Sequence, residues 1–322
     1  MIKKNFLIVG LGNVGTKRLD ILVKEKIYNK IYIFDKKKIK VKKKNIVVLK
    51  KLNKDLLSKL NIDLAILSVN PEYAFIHGRL ILESGINLLV EKPPFFKFKE
   101  YKFLYNLSLK KKKYLFIGFN FLHDPFIKAI KEDYLNKIGN LYKVEMDYLY
   151  GTSLSNLNKV GSFMDVGLHL IGITMYFLQQ FKIININLNS FEKKYPNYDE
   201  DGSIILKKGK TIIKLNFSFI NWINKFNFKA IGSKGMIDAT GLAKWKYQKL
   251  NLYKRTLPSG FPKLIKSKTY KKDISFENEI LYVFRKIGNK SYDEKENLKY
   301  FEIMKKSYSI FKKQKKKINY FK

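Results

Sequence analysis

Phe6-Leu7-Ile8-Val9 runs into Gly10-Leu11-Gly12-Asn13-Val14-Gly15, a helical pattern follows, and Ile31-Tyr32-Ile33-Phe34 ends on Asp35. The order is strand, glycine turn, helix, strand, acid. Gly10 permits the tight strand-to-helix turn, Gly12 lets the backbone approach a pyrophosphate, and Gly15 brings the helix close to the sheet. Asn13 precedes and Val14 opens that helix, whose unpaired N–H groups and partial positive charge favour phosphate. Asp35 stands where a carboxylate accepts hydrogen bonds from ribose hydroxyls. A lone GxGxxG is weak evidence; the flanking elements in the right order make it a candidate dinucleotide site.

Outward from this motif, apolar runs and helical periodicity alternate through residue 120. Strands are expected at 5–10, 31–35, 46–49, 63–69, 86–90 and 114–118, and helices at 14–26, 53–60, 72–84 and 97–111. That alternation predicts βαβ units, a doubly wound parallel sheet and right-handed crossovers. Its fourth strand ends at Ser68-Val69-Asn70-Pro71. The fifth ends at Glu91-Lys92-Pro93-Pro94, where Pro93 restricts Lys92 to an extended conformation. Most lysines of such a chain are solvated surface; Lys92 differs by ending a buried strand at the same edge as the glycine turn.

Beyond 120 the pattern changes. A helix near 125–137 leads through Gly139 to a strand at 141–150, a buried helix at 163–180, and strands at 183–191, 202–207, 210–220, 225–232 and 235–239. Lys207-Lys208-Gly209-Lys210 and Ser233-Lys234-Gly235 read as hairpin turns, so a mainly antiparallel open sheet is expected. Helices at 276–288 and 294–316 close the chain. The expectation is an α/β chain of two domains, 1–120 and 121–322, the second α+β.

Gly161-Ser162-Phe163-Met164-Asp165-Val166-Gly167-Leu168-His169 places Asp165 and His169 four apart on one face of an otherwise apolar helix. Two ionisable groups there need a partner or a cavity. They either satisfy one another or serve a site. Both residue types ligate metals, but with only His77, His123 and His169 and no cysteine in the chain, no metal is expected.

These three constellations resemble the glucose–fructose oxidoreductase / inositol dehydrogenase / MocA (Gfo/Idh/MocA) family over nearly the whole chain. The resemblance implies an NAD(P)-binding Rossmann domain followed by a domain with an open antiparallel sheet, through which relatives form homodimers or homotetramers. It implies hydride transfer between a nicotinamide and a hydroxyl or keto carbon of a sugar, nucleotide-sugar or cyclitol-like substrate. Lys92, Asp165 and His169 become the catalytic candidates. Gly10, Gly12, Asn13, Val14, Gly15, Asp35, Ser68, Asn70, Pro71, Glu91 and Lys92 become the cofactor candidates. Lys92, Asn120, His123, Asp165 and His169 are candidates for substrate binding, although His123 is read first as an ordinary loop residue. The chain departs from the family pattern at Val160, where a second glycine is usual, and at Gly172, where an acid often stands. It departs again at Leu122, where arginine is frequent, and at Ala74-Phe75, where a histidine is often found.

Chemistry supports the same candidates. Alcohol oxidation needs a base for the hydroxyl proton, and ketone reduction needs an acid. A histidine with an ordinary pKa of about 6.5 suits either role. A lysine near 10.4 needs desolvation to act as base, but protonated it orients and polarises an oxygen. The sequence leaves open which of Lys92 and His169 is the main acid/base, with Asp165 as orienter or hydroxyl ligand. Asp35 favours NAD over NADP because a carboxylate repels a 2′-phosphate; Lys36, Lys37 and Lys38 offset that repulsion.

Composition bounds the rest. The 322 residues are 46% hydrophobic and 15% aromatic, enough for two cores. Absence of cysteine excludes disulfides and thiolate chemistry and accords with a cytoplasmic location. No apolar run of about 18 residues is present, so no membrane span is expected. The short apolar start leads straight into the glycine turn, which a leader-peptide cleavage would destroy. A net charge of +38 invites nucleic acid, yet only four of the 65 basic residues are arginine and the lysines are dispersed. The Lys, Asn, Ile, Phe and Tyr bias reads as codon usage of an AT-rich genome, and no nucleic-acid partner is expected. The alternative reading is a cofactor-binding sensor or partner subunit without turnover.

Overall fold

The computed structural model describes residues 3–37, 39, 41, 43–151, 160–191, 198–289, 291–314 and 318–320. Lys38 and the last two residues of the helix expected to end at 316 lie outside them. The chain forms two compact units, Met1–Asn120 with Phe276–Lys306, and Phe121–Ser275 with Ser307–Lys322.

In the first unit, strands β1 (Lys4–Val9), β2 (Tyr28–Phe34), β3 (Ile46–Val48), β4 (Leu64–Leu67), β5 (Asn87–Val90) and β6 (Leu115–Ile117) alternate with helices α1 (Asn13–Glu25), α2 (Lys54–Lys59), α3 (Pro71–Glu83) and α4 (Phe98–Lys110). Every pair is parallel and the order is β3-β2-β1-β4-β5-β6, the doubly wound arrangement. Leu7 pairs with Tyr32 on one side and Ala65 on the other, which fixes β1 at the centre. Phe6 to Val9 and Leu64 to Leu67 are buried throughout, as strands covered on both faces require. Local signals set the helices: the Asn53 side chain caps α2 by accepting from Leu56 N at 3.0 Å, and Pro71 supplies the first residue of α3.

The segment 276–306, which the sequence reading gave to the second domain, packs with this first unit. It holds most of α7 (Ser275–Gly288) and the first part of α8 (Glu294–Gln314). Phe301 stacks on Tyr105 with ring centroids 4.1 Å apart, and Phe284 stacks on Phe6 at 6.5 Å. Asn297 accepts from Leu115 N at 2.9 Å and donates to Ser108 Oγ at 2.8 Å and to the Lys113 carbonyl at 2.9 Å. An amphipathic helix announces that it needs an apolar partner, not which one; these long-range pairings have no local signature.

The second unit is built on a nine-stranded sheet. Its strands are β7 (Leu141–Leu149), β8 (Lys182–Ser190), β9 (Asp201–Lys208), β10 (Thr211–Ser218), β11 (Lys225–Gly232), β12 (Gly235–Thr240), β13 (Gln248–Lys254), β14 (Lys263–Tyr270) and β15 (Ile318–Tyr320). They run in the order β14-β13-β12-β11-β7-β10-β9-β8-β15, antiparallel except where β7 meets β10 and β8 meets β15. Strict alternation buries one face: Ile204 and Leu206 of β9, Ile213, Leu215 and Phe217 of β10, Phe226, Phe228 and Ala230 of β11. β13 and β14 were not expected; lysine at every second or third position of 263–271 masks the apolar signal of a strand that is exposed along nearly its whole length.

Two expected helices are irregular. The segment read as 125–137 is a short α5 (Pro125–Ala129) followed by a π turn at Ile130–Tyr134 and a 3₁₀ turn at Leu135–Ile138. The one read as 163–180 opens with a π turn at Phe163–Gly167 before α6 (Leu168–Leu178). Among the described residues, no helix is long and apolar enough to cross a membrane.

Candidate functional site

At the carboxyl ends of β1, β2 and β4 lies a cavity of about 600 Å³, walled by Gly10, Leu11, Gly12, Asp35, Lys36, Lys37, Ser68, Asn70, Tyr73 and His77 among others. This is the point where strand order reverses, the place a doubly wound sheet offers a ligand. Gly10 has φ +88°, and a Cβ there would meet the Ser68 carbonyl oxygen at 2.5 Å. A Cβ on Gly15 would lie 2.0 Å from the Gly10 carbonyl oxygen, so helix and turn touch backbone to backbone. Over Gly12 the space is open, with no protein atom within 4 Å of a Cβ built there.

Asp35 has both oxygens engaged by backbone: Leu11 N donates to Oδ2 at 2.6 Å and Lys37 N to Oδ1 at 2.7 Å. It ties the glycine turn to the end of β2 while facing the cavity. Ser68 Oγ is buried beside it without a hydrogen-bond partner. An open glycine cradle, an orphaned hydroxyl and a carboxylate at the far end fit a dinucleotide: pyrophosphate over Gly12 and the α1 N-terminus, ribose hydroxyls toward Asp35.

Tyr73 and His77 are site residues that the sequence reading missed. Their four-residue spacing on α3, just after Pro71, was the available signal. Lys36 Nζ lies 5.3 Å from the Tyr73 ring, a cation–π contact at the cavity edge. Burial lowers the His77 pKa, which keeps the ring neutral at neutral pH.

Of the other cofactor candidates, Asn13, Val14 and Gly15 form the first turn of α1 and Pro71 that of α3. Glu91 is used differently. Arg18 donates to Glu91 Oε1 from Nε at 2.8 Å and from Nη2 at 2.6 Å, and the same Nη2 lies 2.5 Å from Glu279 Oε2. Gly118 leaves room for this pair, since a Cβ there would meet Glu91 Oε2 at 2.7 Å. Lys92 is half-buried and joined to Pro93 by a cis bond. Asn120 ends the first unit, buried in the 3₁₀ turn Asn120–His123.

In the second unit, the π turn decides where Asp165 and His169 stand. Asp199 anchors it: Ser162 Oγ and Phe163 N donate to Asp199 Oδ2 at 2.5 and 2.7 Å. Burial pushes the Asp199 carboxyl up to about 6 against these hydrogen bonds. Asp165 is half-buried, whereas His169 is 5% exposed, its ring 4.6 Å from that of Phe121 and 6.0 Å from that of Tyr148. His123 is buried, and its neighbour Asp124 caps α5 by accepting from Phe126 N at 2.8 Å. No group of three or more acids and histidines with metal-holding geometry exists among the described residues.

Residues 4–119 match the GFO_IDH_MocA family, described as an oxidoreductase family with an NAD-binding Rossmann fold. This amino-terminal stretch is thus similar to the Gfo/Idh/MocA oxidoreductases. No curated protein matches the sequence. Among solved structures, KijD10, a 3-ketoreductase from Actinomadura kijaniata in complex with NADP and TDP-benzene, shares the fold at 13% identity. It has a TM-score of 0.81, covering 99% of this chain and 100% of that one. UDP-N-acetylglucosamine 3-dehydrogenase GnnA from Acidithiobacillus ferrooxidans does so at 13% identity and a TM-score of 0.76, covering 96% and 97%. The fold of these neighbours thus extends over both units.

Proposed function

We propose that the chain is an NAD(P)-dependent oxidoreductase acting on a hydroxyl or keto carbon of a nucleotide-linked sugar. The observation that carries the redox half is the cavity over Gly12, closed at one end by Asp35 and lined by the Ser68 hydroxyl. The substrate class follows the two neighbours, one captured with NADP and TDP-benzene and the other named for UDP-N-acetylglucosamine. When bound, the nicotinamide supplies or accepts the hydride. The protein's part is to hold the reacting oxygen and have its proton moved, and Lys92, His169 and Asp165 are the groups proposed to orient that oxygen and its proton donor. A cytoplasmic homodimer or homotetramer without nucleic-acid partner completes this reading; exposed Leu264 and Ile265 on β14 support association through the sheet.

Titration with NADH and NADPH, followed by nucleotide fluorescence, is the first experiment. Saturable binding of either is expected, and binding of neither overturns the reading. With UDP-N-acetylglucosamine and TDP-linked keto sugars as probes, Lys92→Ala is expected to lower turnover by about 10²–10³-fold. Its cofactor affinity should stay within a few-fold, and unchanged turnover removes Lys92 from the chemistry.

Asp35→Ala is expected to weaken NADH about 10–100-fold, the worth of one or two hydrogen bonds to a charged group, and NADPH less. The 2′-phosphate gains from losing the carboxylate, with Lys36 and Lys37 in the same wall. Equal losses for both nucleotides mean that Asp35 acts only on the turn it ties.

A further inference from the structure

Beside Asp165 and His169 stands a cluster that the catalytic candidates do not include. Lys244 Nζ donates to Tyr148 Oη at 2.7 Å and to Tyr150 Oη at 2.6 Å, and the two phenol oxygens are 3.0 Å apart. One ammonium and two hydroxyls thus close a triangle. The ammonium also lies 4.9 Å from the Tyr150 ring centre and 5.1 Å from that of Trp245. Tyr148 is 2% exposed at the end of β7, its ring beside His169. Tyr150, two residues on, is half-buried and nearer to solvent.

A proton donor must reach the substrate oxygen. His169 and Tyr148 are packed away, so of the groups in this cluster that carry a transferable proton, Tyr150 is the more accessible. A phenol is a weak acid, and what makes it useful is stabilisation of the phenolate it leaves behind. An ammonium donating to that oxygen supplies this, and the second phenol donates a further hydrogen bond.

Resting on the proposed redox reading, we propose that Tyr150 is the general acid for carbonyl reduction and that Lys244 is its positioning residue. The carbonyl carbon receives hydride from the reduced nicotinamide, which is oxidised. The Tyr150 O–H bond breaks as an O–H bond forms on the substrate oxygen, and solvent reprotonates the phenolate. In the oxidative direction the same phenolate accepts the hydroxyl proton. Burial raises the Tyr150 pKa, as does the Asp165 carboxylate, while the hydrogen bond from Tyr148 lowers it. The phenol therefore keeps its proton until charge develops. The charged and titratable groups facing the pair are Lys244, Asp165, His169 and, toward Tyr148, Asp273.

Two measurements on the full chain test this. In steady-state assays with a TDP-linked 3-keto sugar and NADPH, or UDP-N-acetylglucosamine and NADP+, Tyr150→Phe should lower kcat by about 10²-fold or more with KM within about threefold. Lys244→Met should lower kcat, Lys244→Arg should restore most of it, and Lys244→Met added to Tyr150→Phe should cost nothing further, because the lysine acts through the phenol. Unchanged kcat in Tyr150→Phe, or additive losses in the double variant, overturns the assignment.

The second measurement needs no substrate. Alkaline difference absorbance of tyrosinate, parent minus Tyr150→Phe, isolates the Tyr150 titration. Repeated in the Lys244→Met background, its midpoint should rise by about one pH unit, the scale of losing an adjacent cation. An unmoved midpoint overturns the role of Lys244. Nucleotide binding remains a separate readout, so loss of the redox reading and loss of this proposal are told apart.

Discussion

Gly15→Ala is expected to abolish measurable NAD(P)H binding, raising Kd at least ~100-fold, and to lower the thermal midpoint of the protein. Replacing a helical glycine with alanine ordinarily stabilises by about 1 kcal/mol, so the sign depends on space. Here the new Cβ would lie 2.0 Å from the Gly10 carbonyl oxygen, far inside contact distance. That oxygen belongs to backbone, and it is held: Gly10 N donates to the Phe34 carbonyl at 2.9 Å, and its φ of +88° is fixed by the turn. Nothing flexible can give way, so α1 must lift from β1 and carry its N-terminus away from the phosphate position. Gly12→Ala is the matched control. Its Cβ meets no protein atom within 4 Å, so the thermal midpoint should hold while binding weakens, because the methyl occupies space meant for the ligand. If both variants bind like the parent, the pyrophosphate does not lie over this turn.

The contrast between those glycines shows what was legible in the chain. Spacing marked Gly10, Gly12, Gly15 and Asp35 because their roles are local: each concerns a backbone conformation or an atom within one βαβ unit. The doubly wound parallel sheet followed from the same alternation. Tyr148, Tyr150 and Lys244 were not legible, since their triangle joins the end of β7 to a turn nearly one hundred residues later, and each alone is an unremarkable residue in a chain rich in lysine and tyrosine. Asp199 was hidden likewise, capping Ser162 and Phe163 from across the fold. Glu91 illustrates the middle case. Its motif was recognised, but its carboxylate turns to Arg18, a partner on α1 that no pattern around residue 91 names.

That partnership carries the second large effect. Arg18→Met is expected to destabilise the first unit by about 3–5 kcal/mol, the range for removing one member of a buried ion pair. Arg18 is fully buried, with Glu91 and the equally buried Glu279 on its guanidinium and the Phe276 ring 4.6 Å away. Burial alone would lower its pKa; the two carboxylates more than reverse that and keep it charged. Methionine fills much of the volume but leaves two acids facing each other without the guanidinium between them. One cation between two carboxyls also leaves a proton to place. Burial pushes Glu279 up from 4.5 to about 7, with Glu91 adding to the rise and Arg18 opposing it. Its folded form therefore binds the proton more tightly than the unfolded chain. The resulting stability is full below 4.5 and is lost as pH rises through about 7. Urea unfolding at pH 6 and pH 8 should show the parent less stable at pH 8 through this group, Glu279→Gln with a weaker dependence, and Arg18→Met losing more at pH 8, where Glu279 has given up its proton. A loss under about 1 kcal/mol in Arg18→Met at either pH would mean that the cation contributes only what a well-packed apolar side chain does, and that the end of β5 is held by its strand neighbours alone.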